Sequence, residues 1–376
     1  MSIHNEVYSR PVMAVLVKNK SISSLQKQIA NREIQLMAEA NMEVNTTLYF
    51  FSMREVKLKE QKIGGYFWDR KNKKWLHQDF SFPDILYIRC SIDKRYTQTF
   101  KKLCNYITKN NGKLITHDRF NKWLLYQIMS KDPVLKSYLP ATRTFTHPDD
   151  LKKMLQHYKV IYLKSHFGRK GENVLRVEVL PDGGYEYSYH RFGQLTVISI
   201  SDFNALLNDV KNFFQDRQFL IQQGIQLLKY NDRLIDMRAE LQHNGDGRLE
   251  IVGVSVRLGQ PGSPITTHGD AIRFDDFFAT KMGYSKEQLE NIRSGVQKFL
   301  FYVYKHLEDN YGKYAEIGID FAIDTNNKIW FIEANSQSTH VSLRNAYGEA
   351  AFYRYNKNIL EYARYLSNTF KRDELA

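Results

Sequence analysis

At 376 residues the chain is long enough for two or three domains with substantial cores. Hydrophobic residues make up 43% and charged residues 25%, which excludes disorder as a starting point, and twenty glycines with eight prolines exclude a collagen-like or linker-rich chain. Lys and Arg number 54 against 41 acidic residues, a net charge of +13 with a pI near 9.4, so polyanions, anionic surfaces and phosphorylated ligands are compatible partners. A solvated basic surface with no dedicated partner fits equally well. The densest basic run is Arg70-Lys71-Lys73-Lys74, and no base-reading motif accompanies it, so nucleic-acid binding lacks a motif. Two cysteines, Cys90 and Cys104, make neither a disulfide framework nor a zinc site and fit a reducing compartment. The start MSIHNEVYSRP has no apolar h-region and no apolar run reaches membrane-spanning length, so a cytoplasmic protein without a membrane span is expected.

In chain order, Val12 to Lys18 reads as a buried strand and Ser24 to Asn41 as one helix, with Leu25, Ile29, Ile34 and Met37 at helical spacing. A strand follows over Thr46 to Ser52. Lys57 to Trp75 reads as a β-hairpin, with Gly64-Gly65 and Asp69 to Asn72 as turn signals. Ile85 to Arg89 is a strand, Asp93 to Asn110 a helix, and Lys113 to Thr116 a strand. This order predicts an N-terminal α/β domain over residues 1–116, with the hairpin as an insertion.

A second domain is expected over 117–370, in two parts of about 117–223 and 224–370. It opens with a helix from Arg119 to Ser130 and a Pro-containing strand from Leu139 to Phe145. A helix capped at His147 follows, then strands Val160 to Ser165, Asn173 to Leu180 and Tyr185 to His190. Asp202 to Asp216 is helical, and Phe219 to Gln223, Leu234 to Leu241 and Leu249 to Leu258 are strands. A long helix covers Lys286 to Tyr311. Glu316 to Asp324 and Lys328 to Ala334 form a hairpin through Thr325-Asn326-Asn327, and Leu343 to Phe370 is mostly helical.

Four segments carry chemistry. Lys164 ends a strand and precedes a loop containing Gly168 and Gly171, an arrangement that can place an ammonium and backbone N–H groups on phosphate oxygens. A solvated hairpin loop has the same pattern. Gly-Ile-Asp at 318–320 and Glu-Ala-Asn at 333–335 lie on the two strands of one hairpin. Glu333 and Asn335, two apart, share a face, and Asp320 can stand opposite them. Two carboxylates and an amide oxygen suit Mg²⁺, which takes hard oxygen ligands and keeps substrate phosphates in its shell. A polar sheet edge is the alternative. Arg238 and Arg257 sit on strand-like segments and can clamp a phosphoryl or carboxylate oxygen. A structural pair, such as Arg238 with Asp236 or Asp320, is equally consistent. Phe219-Leu220-Ile221-Gln222-Gln223-Gly224-Ile225 runs from an apolar strand into a polar loop, as an adenine-binding edge does.

Taken in order, these segments resemble an ATP-grasp domain, and within that fold the bacterial endospore coat-associated YheC/YheD-like group. The order is Asn121-Lys122-Trp123, Pro140 to Thr142, Lys164 with its loop, Gln222 to Ile225, Asp236-x-Arg238, Arg257, Gly318 to Asp320 and Glu333-x-Asn335. The likeness covers about residues 117 to 368, and the stretch from Ile63 to Arg89 also resembles that group's N-terminal region. The resemblance implies an α/β fold of α+β subdomains with the site between two of them. Lys122, Lys164, Gly168 and Gly171 would hold ATP phosphates, and Gln222, Gln223 and Ile225 would bind adenine. Asp320, Glu333 and Asn335 would hold Mg²⁺, while Arg257 and Arg238 face the transferring phosphoryl group. It implies a ligase that activates a small-molecule or peptide carboxylate as an acyl phosphate, attacked by an amine or thiol. A non-catalytic nucleotide-binding or spore-coat structural relative is the alternative. Two stretches depart from the ligase pattern. Ile265 to Ala271 has one glycine and no asparagine, and Ser336-Gln337-Ser338-Thr339 replaces the usual Pro-Gly. His268 and Arg273 are candidate substrate contacts there.

Overall fold

The computed structural model describes residues 10–115, 120–167, 173–191, 194–261, 263, 266 and 270–373. Three sheets organise them. The first holds β1 (Val12–Leu16), β2 (Thr47–Phe51), β3 (Val56–Lys57), β4 (Lys62–Asp69), β5 (Lys74–Ser81), β6 (Ile85–Ile88) and β7 (Lys113–Ile115), in the order β3-β4-β2-β1-β6-β7 with β5 beside β4. Its β2-β1-β6-β7 part is parallel. Strand β1 is buried on both faces. Met13 and Val15 pack with α2 (Arg32–Val44) and the C-terminal helix, whereas Ala14 and Leu16 pack toward α3 (Thr97–Lys109). Such two-sided burial is why Val12 to Leu16 is uninterruptedly apolar rather than alternating.

Two sequence expectations fail here. The single helix expected over Ser24 to Asn41 is two, α1 (Asn19–Gln26) and α2. Gln28 takes a left-handed φ of 62°, and Asn31 restarts the chain by accepting a bond from the Ile34 N–H. Gly64-Gly65 is not a turn but lies inside β4. A Cβ on Gly65 would come within 2.4 Å of the Tyr49 ring, so glycine there permits a close strand-to-ring approach.

The second sheet is antiparallel, in the order β12-β11-β10-β9-β13-β8. It comprises β8 (Thr142–Thr144), β9 (Val160–Ser165), β10 (Val174–Val179), β11 (Tyr185–Arg191), β12 (Gln194–Ile200) and β13 (Phe219–Gln223). Helices α6 (Pro148–His157) and α7 (Phe203–Phe214) cover its apolar face. Before it come α4 (Lys122–Met129), capped by Asn121, and the short α5 (Pro133–Lys136). Strand β12 was not foreseen; its exposed Leu195 and Val197 blur the inside–outside alternation.

The third sheet runs β17-β16-β15-β18-β19, with β14 (Lys229–Tyr230) beside β15 (Arg233–His243). Its other strands are β16 (Leu249–Leu258), β17 (Asp270–Arg273), β18 (Glu316–Ile323) and β19 (Ile329–Asn335). A short turn, α8 (Phe274–Asp276), leads toward α9 (Lys286–Tyr311), which fills one face with Val296, Phe299, Leu300 and Val303. Ile235, Met237, Ala239 and Leu241 of β15 point into that core. The alternating residues Asp236, Arg238, Glu240 and Gln242 therefore occupy the opposite face. Helix α10 (Val341–Asp373), broken at Gly348, brings Tyr355, Ile359 and Ala363 back against the first sheet's core. Among the described residues no helix is long and apolar enough to cross a membrane, and Cys90 is a buried free thiol.

Candidate functional site

The polar face of the third sheet forms the floor of the site. Strand β18 pairs with β19 so that Asp320 lies opposite Glu333 and Gly318 opposite Asn335. A bulge follows between Asp320 and Phe321. The extra residue lets Phe331 and Ala334 both face the core while Glu333 and Asn335 share the polar face. On the next strand, Arg238 makes a two-pronged pair with Asp320, its Nη2 donating to Oδ2 at 2.9 Å. Arg257 grips Asp236 in the same way, with Nε donating at 2.6 Å, and its Nη2 lies 3.3 Å from Asp320 Oδ2. Of the two readings open for the arginines, the structural Arg–Asp pairs are thus present. They do not exclude the other, because both guanidinium groups also border the cleft.

The roof comes from the second sheet and α4. The Lys164 ammonium donates to Gln222 Oε1 at 2.6 Å, and Gln222 Nε2 donates to Thr142 Oγ1 at 3.0 Å. Gln223 accepts from the Ala141 N–H at 3.1 Å, and the Gly224 N–H bonds to Val160. Lys122, in the first turn of α4, makes a close ion pair with Glu333 across the cleft. Between floor and roof lies a cavity of about 750 Å³. Its lining includes Lys122, Lys164, Gln222, Gln223, Ile225, Arg238, Arg257, Asp320, Glu333 and Asn335. Tyr162, Leu220, Leu227, Leu234 and Phe331 add apolar wall, which suits the face of a purine base. Gly168, Gly171 and His268 lie outside the described residues.

The charges perturb one another as a packed set should. Burial pushes the Lys164 ammonium down to about 8, and the nearby Lys122 cation adds to the shift. Burial alone would raise Glu333, but Lys122 beside it wins and holds the carboxyl below the usual range. Burial likewise disfavours the Arg238 and Arg257 cations, yet Asp320 and Asp236 respectively overcome it and keep both firmly charged.

A family model described as YheC/D like ATP-grasp matches residues 111–366. The chain belongs to the YheC/D-like ATP-grasp family. Curated relatives include the endospore coat-associated proteins YheD and YheC of Bacillus subtilis (strain 168). YheD is 27% identical over 222 residues, 58% of this chain and 48% of YheD. YheC is 24% identical over 277 residues, 72% of this chain and 74% of YheC. The match to YheD therefore spans about half of that protein's length. The fold is shared with the solved ATP-grasp ligase PsnB complexed with its minimal precursor (TM-score 0.53, 8% identity, 94% and 100% of the two chains). The D-cycloserine synthetase DcsG shares it as well (TM-score 0.52, 10% identity, 93% and 99%).

In this YheC/D-like chain the donors compatible with Mg²⁺ are Asp320, Glu333 and the Asn335 amide oxygen. Asn335 Nδ2 donates to Glu333 Oε1 at 3.1 Å, which uses its nitrogen and leaves its oxygen available. Among the described residues no three His, Cys, Asp or Glu side chains gather as a metal cage. The set fits an ion whose shell is completed by phosphates and water rather than by protein alone.

The rest of this face is not marked by any of the sequence motifs. Glu240, 1% exposed, accepts from Ser338 Oγ at 2.6 Å, and Arg238 Nη1 donates to the same Ser338 oxygen at 3.0 Å. The segment that departs from the ligase pattern is thus bound into the charge network. Thr266, within the other departure, donates its hydroxyl to Asp236. Arg89, after β6, reaches Glu316 at 2.6 Å and Glu33 at 2.7 Å. The alternation along β15 was a usable signal for Glu240; nothing local marked Arg89.

Proposed function

We propose that this chain binds Mg-ATP in the cleft and transfers the γ-phosphoryl group to a carboxylate, giving an acyl phosphate for an amine or thiol to attack. The observation carrying the reading is convergence: ten residues spread from 122 to 335 line one cavity, with two lysines on one wall facing two carboxylates and two arginines on the other. Lys122 and Lys164 would take phosphate oxygens, and Gln222 to Ile225 would take the base. Asp320, Glu333 and Asn335 would hold a divalent ion, which would supply positive charge to offset that developing on the transferring group. Arg257 and Arg238, already oriented by Asp236 and Asp320, would stabilise the same charge without reorganising. We further propose a division near residue 116, with the nucleotide held between parts of about 117–223 and 224–370. By likeness to YheC and YheD, a cytoplasmic protein that becomes spore-associated is the setting we favour.

One observation favours a second reading, a nucleotide binder without turnover. Both metal-facing carboxylates are engaged by protein cations, Lys122 on Glu333 and Arg238 on Asp320. Screening ADP release over carboxylate and amine mixtures, with mass spectrometry of products, separates the two. The ligase reading expects a substrate-dependent product. ATP binding without turnover on any carboxylate supports the binder.

A further inference from the structure

The cleft does not end at the nucleotide residues. The same cavity is lined by Lys18, Glu33, Arg89, Cys90 and Ser91 of the first sheet and its helices. Their place in the topology is informative. The chain leaves β1, passes through α1 and α2, and adds β2 on one side; it later returns to add β6 on the other side of β1. Connections leaving neighbouring parallel strands in opposite directions open a crevice at the strands' carboxyl ends, where ligands of open α/β sheets bind. Lys18 follows the end of β1, and Arg89 to Ser91 follow the end of β6, so the crevice and this part of the cavity coincide.

The crevice carries both signs of charge in usable form. Lys18 is exposed; its carbonyl accepts from the Ser21 N–H at 2.9 Å, and among the described residues its side-chain ammonium has no hydrogen-bond or ion-pair partner. It is also the residue before α1, and no side chain caps that helix, so its first N–H groups add to the positive end. Glu33, 32% exposed, bonds Arg89 through Oε1. Arg89 is held on three sides, by Glu33, by Glu316 and by the Ser338 carbonyl at 2.9 Å, while its buried Nε has no partner. Arg89 thereby fixes Glu33 at the mouth of the crevice, with a second carboxylate oxygen to offer.

We infer that this crevice is a binding site for a ligand bearing both an ammonium and a carboxylate, an amino acid or the end of a short peptide. The ammonium sits on Glu33, and the carboxylate on Lys18 and the first turn of α1. Identifying that ligand as the second reactant rests on the ligase reading above; its binding does not.

The test is direct binding without nucleotide, by saturation-transfer NMR with glycine, both alanine enantiomers, glutamate and dialanine. N-acetylated, amidated and single-charge analogues (acetate, methylamine) serve as controls. The wild type is expected to bind at least one zwitterion about tenfold or more tightly than its N-acetyl and amide forms. Lys18→Glu and Glu33→Gln are each expected to lose at least tenfold. Lys18→Glu changes an exposed side chain, so its fold should persist, and an unchanged melting temperature checks this. Equal binding of zwitterions and single-charge analogues, unchanged affinity in Lys18→Glu, or no zwitterion binding overturns the site. A Mg-ADP melting shift, measured in parallel, tests the nucleotide reading separately. Zwitterion binding without that shift supports the crevice and removes the nucleotide reading alone.

Discussion

The central strands of the first and third sheets are both buried on two faces, yet they bury opposite chemistry. Strand β1 places Met13 and Val15 in one core and Ala14 and Leu16 in another. Strand β15 places Ile235, Met237, Ala239 and Leu241 in a core but turns Asp236, Arg238, Glu240 and Gln242 away from it. Replacing a buried ion pair by apolar residues of like volume is often neutral or stabilising, so packing alone gives no reason to keep such a row. The first face is explained by burial; the second asks for a ligand. The Arg238–Asp320 and Arg257–Asp236 pairs keep four charges aligned at the cleft at a cost in desolvation.

The largest effect should come from splitting a pair. Asp236→Ala leaves Arg257 buried beside fewer acids and is expected to cost about 3–5 kcal/mol in denaturant unfolding. Replacing both partners, Asp236→Leu with Arg257→Leu, should bring stability back near the wild type while abolishing turnover. If the double variant is as unstable as the single one, the row is structural and the comparison breaks.

On the apolar side, Leu16→Ala should cost about 2–5 kcal/mol by leaving a cavity, with Mg-ATP affinity of the folded protein unchanged. A matched loss of nucleotide affinity would show that the first sheet's core takes part in nucleotide binding. Smaller again is Lys164→Ala, expected to weaken ATP by about 1–3 kcal/mol in calorimetry through loss of a charge-assisted contact.

The smallest effect is a proton. Burial, with Lys122 nearby, pushes the Lys164 ammonium down to about 8, below its unfolded value, and phosphate would raise it again. Near pH 8 nucleotide binding should therefore take up part of a proton, and near pH 6.5, where Lys164 is already charged, none. Calorimetry in buffers of different ionisation enthalpy reads this, and Lys164→Arg should abolish it. The same shift carries a sign for the nucleotide-free fold. Between about pH 8 and 10.5 the unfolded chain binds more protons at this group, so Lys164's contribution to stability rises with pH across that window.

What was legible in the sequence follows the same divide. The long helix over Lys286 to Tyr311 and the hairpin bearing Asp320 and Glu333 were readable because their signals are local. A Ser285 cap and 3.6-residue periodicity mark the first, and Asp324 bonding the Asn326 and Lys328 N–H groups marks the turn of the second. Gly64-Gly65 misled because a turn and a close approach to the Tyr49 ring demand the same residue. The break at Gln28 was hidden because apolar spacing continues across it. The Lys122–Glu333 pair, 211 residues apart, and the Arg89–Glu316 pair, 227 apart, have no local signature at all. Only the fold brings them together.

The most direct test of the central claim is whether ATP recognition at this face depends on Mg²⁺ and on Glu333. Melting temperature should be read with ATP, with Mg²⁺ and with both, on the wild type and on Glu333→Gln, with turnover assayed on the same preparations. The account predicts a shift in the wild type only, or much more strongly, when both are present, roughly 2.7 kcal/mol at a hundredfold excess over Kd. In Glu333→Gln it predicts a reduced shift, no turnover and most of the stability retained. A wild type that ignores Mg-ATP, or a Glu333→Gln protein that loses stability while keeping turnover per folded molecule, would contradict it.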